Sequence, residues 1–252
     1  MLGLGLGGFG LDARRVAQPW SPASMAGLLA WYDPSDLSTL WQDAEMTTPI
    51  TASGQPVGAI RDKSGNGHHL TQATASRRPM YQASGGRHWL QSDGVDDALG
   101  IASRYGLGAN PALSITAGMR WLGSEADGRL LSIGYGATGN LSVGTGTSGS
   151  AWRHSNGNTI FGTPTAGLDV LATWAREADV AYGAEQFWRN GVPQAITFSA
   201  VTALPSSTDA NTTAFSFGAA NYLTARLYGM IIANARLPQA ETWMAAKSGV
   251  TP

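Results

Sequence analysis

Four clusters in this 252-residue chain carry residue types that can do chemistry. The first is His68-His69 beside Asp62. Neighbouring residues on a strand point to opposite faces, so the two imidazoles do not converge on one metal and read as the polar flank of a turn. The second is Asp93, Asp96 and Asp97. Three carboxylates near a loop are oxygen donors of the kind calcium takes, but the EF-hand spacing is absent, and an Asp-Asp pair after Gly94 reads as turn closure. The third is Glu125-Ala126-Asp127. A period of 2 puts both acids on one face, and retaining glycoside hydrolysis needs two carboxyl groups about 5–5.5 Å apart. The surrounding "GSEADG" nevertheless reads as a loop between strands. Glu177 and Asp179 share the spacing and the same weakness. The fourth is Trp152, Arg153, His154 and Asn156 in "SAWRHSNGNT". A sugar stacks an apolar face on an aromatic ring while guanidinium and amide groups bond its hydroxyls, so these four are the candidate carbohydrate-binding residues. The other tryptophans, Trp31, Trp121, Trp174, Trp188 and Trp243, fall at core positions of the pattern. No catalytic set, metal site or cofactor is assigned, and "GLGLGGFG" near the start follows no strand and opens no helix, so it is no dinucleotide loop.

The elements that must position these residues are mostly strands. Charged residues are 13% of the chain, Gly numbers 33, and hydrophobic content is 43%. That mixture suits short strands and tight turns. Runs such as "LSITAGMRWLG", "LDVLATWARE", "TTAFSFGAA" and "LTARLYGMIIANARL" are apolar or alternating and are bounded by Gly, Asn, Ser or Pro. Two short helices are expected: near residues 22–30, with Ser21 as N-cap and Pro22 in the first turn, and near 238–247, opened by Pro238 and stopped by Gly249. A net charge of -1 with no basic run implies no nucleic-acid footprint. The absence of cysteine excludes disulfides and thiolate metal sites. No apolar run is long enough for a membrane span. The opening "MLGLGLGGFGL" lacks a basic start and a coherent apolar helix, and Leu2 stands where a myristoyl-accepting Gly would be, so no membrane insertion is expected.

Four segments, in order, resemble the concanavalin A-like, laminin-G-type jelly rolls: "DKSGNGHHLT" (62–71), "SDGVDDAL" (92–99), "FWRNGVP" (187–193) and "RLYGMIIANARLPQAE" (226–241). The resemblance covers residues 56–247 and implies an all-β jelly-roll sandwich over residues 25–252, preceded by an extended arm at 1–24. Glucanases of this fold carry a third acid after their Glu-x-Asp pair; here Arg129 and Leu130 stand in its place, which argues against a polysaccharide depolymerase. Laminin-G domains often hold calcium, which keeps the Asp93, Asp96 and Asp97 loop in view.

The Leu-Gly ribbon leading through "WSPASMAGLLAWYDPSD" into the jelly roll resembles structural proteins of tailed bacteriophages. What this implies is a non-enzymatic virion protein, a fibre or spike. It would dock to capsid or tail proteins through residues 1–24, with Leu2, Leu4, Leu6, Phe9 and Leu11 filling pockets on the partner. A symmetric homo-oligomer and contact with host-surface polysaccharide through the loops belong to the same expectation. The alternative is a decoration or connector protein that binds no ligand.

Overall fold

The computed structural model describes residues 20–123, 128–134, 141–146, 151–154, 159–162, 165–181, 183–199, 211–216 and 221–251. Among these residues the chain is all-β, with antiparallel strands in two sheets and one short α-helix.

The first sheet is built on two long strands, Leu113–Trp121 and Ala225–Ala233, paired along most of their length. Asp169–Arg176 pairs with the outer side of Leu113–Trp121, and the hairpin Gln186–Arg189 and Val192–Gln194 continues to that edge. Arg87–Gln91 and Met80–Ser84 extend the sheet beyond Ala225–Ala233, and Leu28–Tyr32 also pairs with that strand. The second sheet holds ten strands. Its middle runs from Leu141–Gly146 through Arg129–Ile133, Thr212–Ala214 and Leu99–Ile101 to Leu70–Thr71.

The two sheets share one core. Ile115, Ala117, Met119, Trp174 and Met230 of the first pack with Leu70, Leu99, Leu131, Ile133, Val143 and Phe161 of the second. Alternation explains the choice: every second residue of a strand faces inward. The other face of the first sheet is also covered, because Leu113–Trp121 is buried on both sides. Its cover is the helix Pro238–Ser248, whose Met244 and Ala245 join Trp31, Leu171 and Ile231 in a second cluster. A Cβ at Gly118 would lie 2.9 Å from Ser248 Cβ, so glycine lets the helix sit flat on the sheet.

The closing helix matches its expected limits, with Gly249 at φ 71 ending it. The helix expected at 22–30 does not form. Pro22–Ser24 makes a single 3-10 turn capped by Ser21, and Leu28–Tyr32 is a strand. Met25 is extended and ends the turn, Gly27 follows at φ 70, and pairing with Ala225–Ala233 then claims the apolar residues that follow. Pro22 is buried, and Trp20 packs on the second cluster, so these residues of the expected arm belong to the folded body. Leu2, Leu4, Leu6, Phe9 and Leu11 lie outside the described residues. No helix among the described residues is long and apolar enough to cross a membrane.

Candidate functional site

Several of the chemically suggestive residues hold the fold together. Asp62 is buried and accepts hydrogen bonds from the N–H groups of Trp31 (2.9 Å), Ser64 (2.8 Å) and His68 (3.1 Å), and from Ser64 Oγ (2.7 Å). His69 Nδ1 accepts from the Asp62 N–H at 3.1 Å. Asn66 Nδ2 donates to the carbonyls of Leu28 and Leu29. Burial, and then Arg61, lowers the His69 pKa and keeps that ring neutral. The "DKSGNGHH" segment is therefore a clasp on the strand Leu28–Tyr32, in line with the reading of His68-His69 as a turn flank. Asp169 plays a similar part under the helix. It accepts from Arg87 (2.6 Å), from Arg120 (2.7 and 2.6 Å) and from Tyr228. Burial pushes its pKa up, but these donors outweigh burial and hold the carboxyl below its ordinary value.

A groove of about 570 Å³ opens on the outer face of the second sheet. Its floor follows from register. Gly100 pairs with Thr71 on one side and Thr213 on the other, while their neighbours Leu70, Leu99 and Ala214 face the core. Thr71, Gly100 and Thr213 therefore share the outward face. A Cβ at Gly100 would sit 3.3 Å from the Thr212 carbonyl oxygen, so glycine keeps the floor low. Gln72 forms one side; its Nε2 donates to the Ala98 carbonyl at 2.8 Å, and its Oε1 accepts from the Thr74 N–H. Asn211 and Tyr222 line the groove from a distant part of the chain. The rim is the ion pair Arg77–Asp96, 3.6 Å apart. The Ala98 N–H donates to the Arg77 carbonyl at 3.1 Å, and this backbone bond holds the two segments together.

Asp96 belongs to the expected Asp-rich turn. Asp93 Oδ1 accepts from the N–H groups of Val95 (2.8 Å), Asp96 (3.3 Å) and Asp97 (3.4 Å), and Asp97 Oδ2 accepts from the Asp93 N–H at 3.0 Å. Turn closure is thus what these carboxylates visibly do. Their ligand atoms also lie within 4.8 Å of one another. That donor set is of the type calcium takes, but three carboxylates supply only part of the 6–8 oxygens the ion needs. Asp97 is buried. Burial, then repulsion from Asp93, pushes its pKa up to about 6.

Trp152 is corrected from sugar platform to core residue. It is 2% exposed and packs against Phe187 and Trp174, at ring separations of 5.3 and 5.9 Å. Pairing of its strand with Leu141–Gly146 and Thr159–Phe161 turns the ring inward, so no face is left for a ligand. The side chains of Arg153 and His154, and all of Asn156, lie outside the described residues. So do Glu125 and Asp127. Glu177 and Asp179 are exposed in the turn after Asp169–Arg176. Trp31, Trp121 and Trp174 are buried as expected, while Trp188 and Trp243 are half-buried beneath Arg236 and Lys247. Sequence reasoning missed Gln72, Arg77, Asn211 and Tyr222. Each is an ordinary polar or aromatic residue in its own segment, and only sheet pairing gathers them.

No family model matches the chain, and no curated protein does. Solved structures do. A Trypanosoma rangeli sialidase in complex with the inhibitor DANA matches with a TM-score of 0.56 at 16% identity, over 92% of this chain and 35% of the sialidase. A GH54 α-L-arabinofuranosidase matches with a TM-score of 0.57 at 14% identity, over 90% of this chain and 60% of the enzyme. An arabinofuranosidase complexed with arabinofuranosyl-α-1,2-xylobiose gives 0.55 at 15% identity, with the same coverage of both chains. The chain thus spans about a third of the sialidases and 60% of the arabinofuranosidases. At this identity the likeness shows the fold alone. The expectation of a non-enzymatic virion structural protein runs against these matches, which are to glycosidases. The virion and bacteriophage setting draws no support from these matches.

Proposed function

We propose that this chain is a carbohydrate-directed domain that holds a glycan in the groove over Thr71, Gly100 and Thr213. The observation that carries the reading is the groove's lining. Three threonines, the amides of Gln72 and Asn211, the Arg77–Asp96 pair and Tyr222, together with apolar residues such as Leu99 and Ile101, surround a volume of about 570 Å³. Hydroxyl and amide groups match sugar hydroxyls, and an aromatic ring matches the apolar face of a pyranose or furanose. The glycosidases that share the fold support the same ligand class. The finer architecture we propose is a concanavalin A-like jelly roll, supported by two sheets on one core and by the four sequence segments named above. Capsid or tail proteins as partners of residues 1–24, a homo-oligomer, and a virion location rest on sequence resemblance alone.

A second reading, glycoside hydrolysis at the rim, is favoured by one observation. Asp97 keeps its proton to about pH 6 beside Asp96 and Asp93. A carboxylic acid next to a carboxylate is the pair that such hydrolysis uses.

Calorimetric titration with arabinoxylan, β-glucan and capsular polysaccharide, with a reducing-end assay on each mixture, tests both readings. Saturable heat is expected, with an affinity about tenfold or more weaker in Tyr222→Ala and in Gln72→Ala, each titrated below its own melting temperature. Heat that persists in both variants would place the ligand elsewhere. New reducing ends that vanish in Asp97→Asn would establish the second reading.

A further inference from the structure

We infer that the outer face of the first sheet, beyond the end of the closing helix, is a second binding site, one that takes the carboxylates of an acidic glycan chain. It lies on the other sheet from the groove and does not rest on the reading given to the groove. Register builds it. Gln91 pairs with Arg226, Arg226 with Arg120, and Arg120 with Asp169, so the four form one row across four neighbouring strands. Their chain neighbours Leu90, Leu227, Met119 and Val170 pack in the core, so the row faces outward. Arg87 joins it from the strand of Gln91, reaching Asp169 at 2.6 Å and the Ser248 carbonyl at the helix end at 3.3 Å. All three arginines are part-exposed.

Donors outnumber what Asp169 can take. Its Oδ1 accepts from Arg120 Nε and Tyr228, and its Oδ2 from Arg120 Nη2 and Arg87 Nη1. Arg120 Nη1 and Arg87 Nε and Nη2 remain for another acceptor. Arg226 stands directly opposite Arg120, a like charge, and among the described residues it meets no carboxylate. Its guanidinium lies 4.6 Å over the Trp89 ring and beside the Tyr228 hydroxyl. A guanidinium held by its flat face keeps its edge donors for a ligand. Gln91 is turned the same way. Trp89 Nε1 can only donate, so Gln91 gives it Oε1 at 3.3 Å and keeps its amide N–H groups. What selects the ligand here is this set of donors, whatever net charge surrounds them. Guanidinium groups match carboxylates, and the amide matches a sugar hydroxyl. A strand spacing of about 4.8 Å puts Gln91 and Arg120 about 10 Å apart, room for an extended chain laid across the row. Trp89 and Tyr228 are buried, so neither ring is offered for base stacking, which favours an acidic glycan over a single-stranded nucleic acid.

The test is titration of the full chain with tetragalacturonate and with its methyl ester, which has the same backbone and no charge. Each is measured in about 0.01 M and about 1 M salt, where screening lengths are about 30 and 3 Å. Saturable binding of the acid in low salt is expected, at least about tenfold tighter than that of the ester, with the gap closing in high salt. Arg226→Gln, and Gln91→Glu, which can still accept from Trp89 Nε1, should each weaken acid binding about tenfold or more while melting stays cooperative. Tyr222→Ala, in the groove, should leave acid binding as it is. No binding of the acid in low salt would overturn the inference, and so would acid binding that is unchanged in both row variants or lost in Tyr222→Ala. Equal binding of the ester, or of a single-stranded oligonucleotide that Arg226→Gln releases, would overturn the assignment to carboxylate-bearing glycan.

Discussion

Asp97→Asn should make the domain more stable at neutral pH, although it changes a residue that is only 6% exposed. Burial, with repulsion from Asp93 and then Asp96, raises the Asp97 pKa from 3.8 to about 6. The folded chain therefore keeps this proton up to about pH 6, while the unfolded chain releases it near pH 3.9. Between these values the native state binds more protons than the unfolded state. Stability from this group falls as pH rises from about 4 to about 6, and stays at the lower level above that. The whole shift corresponds to about 3 kcal/mol at about 1.4 kcal/mol per pH unit. Asp93 is exposed, so water and salt screen its share, and about 1.5 kcal/mol is the working figure. Asparagine carries no charge and can still accept from the Asp93 N–H, the bond that Asp97 Oδ2 now makes. Melting temperature should rise by about 3–6 °C near pH 8 and by nothing near pH 4. Thermal melts of both proteins across that range, with and without calcium, provide the assay. A variant no more stable than the parent near pH 8 in chelator would refute the reasoning. A loss confined to calcium buffer would show that the carboxylate serves a cation.

Four other outcomes are expected from urea unfolding. Trp152→Ala should cost about 3–5 kcal/mol through the cavity left among Trp174, Phe187 and Phe161, and the folded fraction should bind glycan as before. Trp152→Phe should cost much less, because the indole Nε1 is buried with no hydrogen-bond partner, so losing it leaves nothing unsatisfied. Asp62→Ala should lose about 2–4 kcal/mol by stranding the N–H groups of Trp31, Ser64 and His68. Gly144→Ala should cost about 1–3 kcal/mol or more, since its Cβ would lie 2.3 Å from the Gly128 carbonyl oxygen and 2.9 Å from Arg129 Cα, and backbone does not yield as a side chain does.

The all-β character, the turns and the closing helix were legible in the sequence, because each depends on a few adjacent residues. Asn190 and Gly191 adopt φ of 52 and 75, the paired positive values that a tight hairpin turn needs and that few other residues accept. Gly65 and Gly67 also take positive φ, 89 and 78, in "SGNG", and Pro238 and Gly249 bound the helix. The Asp62 clasp was visible as a polar turn flank, although its grip on Leu28–Tyr32 was not. Where local signals were ambiguous, pairing decided: Leu28–Tyr32 became a strand because Ala225–Ala233 lay beside it.

The site was beyond such reading. Gln72, Asp96, Asn211 and Tyr222 meet only because the strand Leu99–Ile101 pairs between Leu70–Thr71 and Thr212–Ala214. Trp152 looked like a sugar platform because its own segment is polar; its burial depends on the strands beside it and on Trp174 and Phe187 from the opposite sheet. Residue types and turn geometry are set within a few bonds, so the sequence alone determined an all-β chain with these turns and this closing helix. Which face each strand shows to the core, and which distant side chains share a groove, depend on register between strands far apart in the chain, and that only the tertiary structure decided.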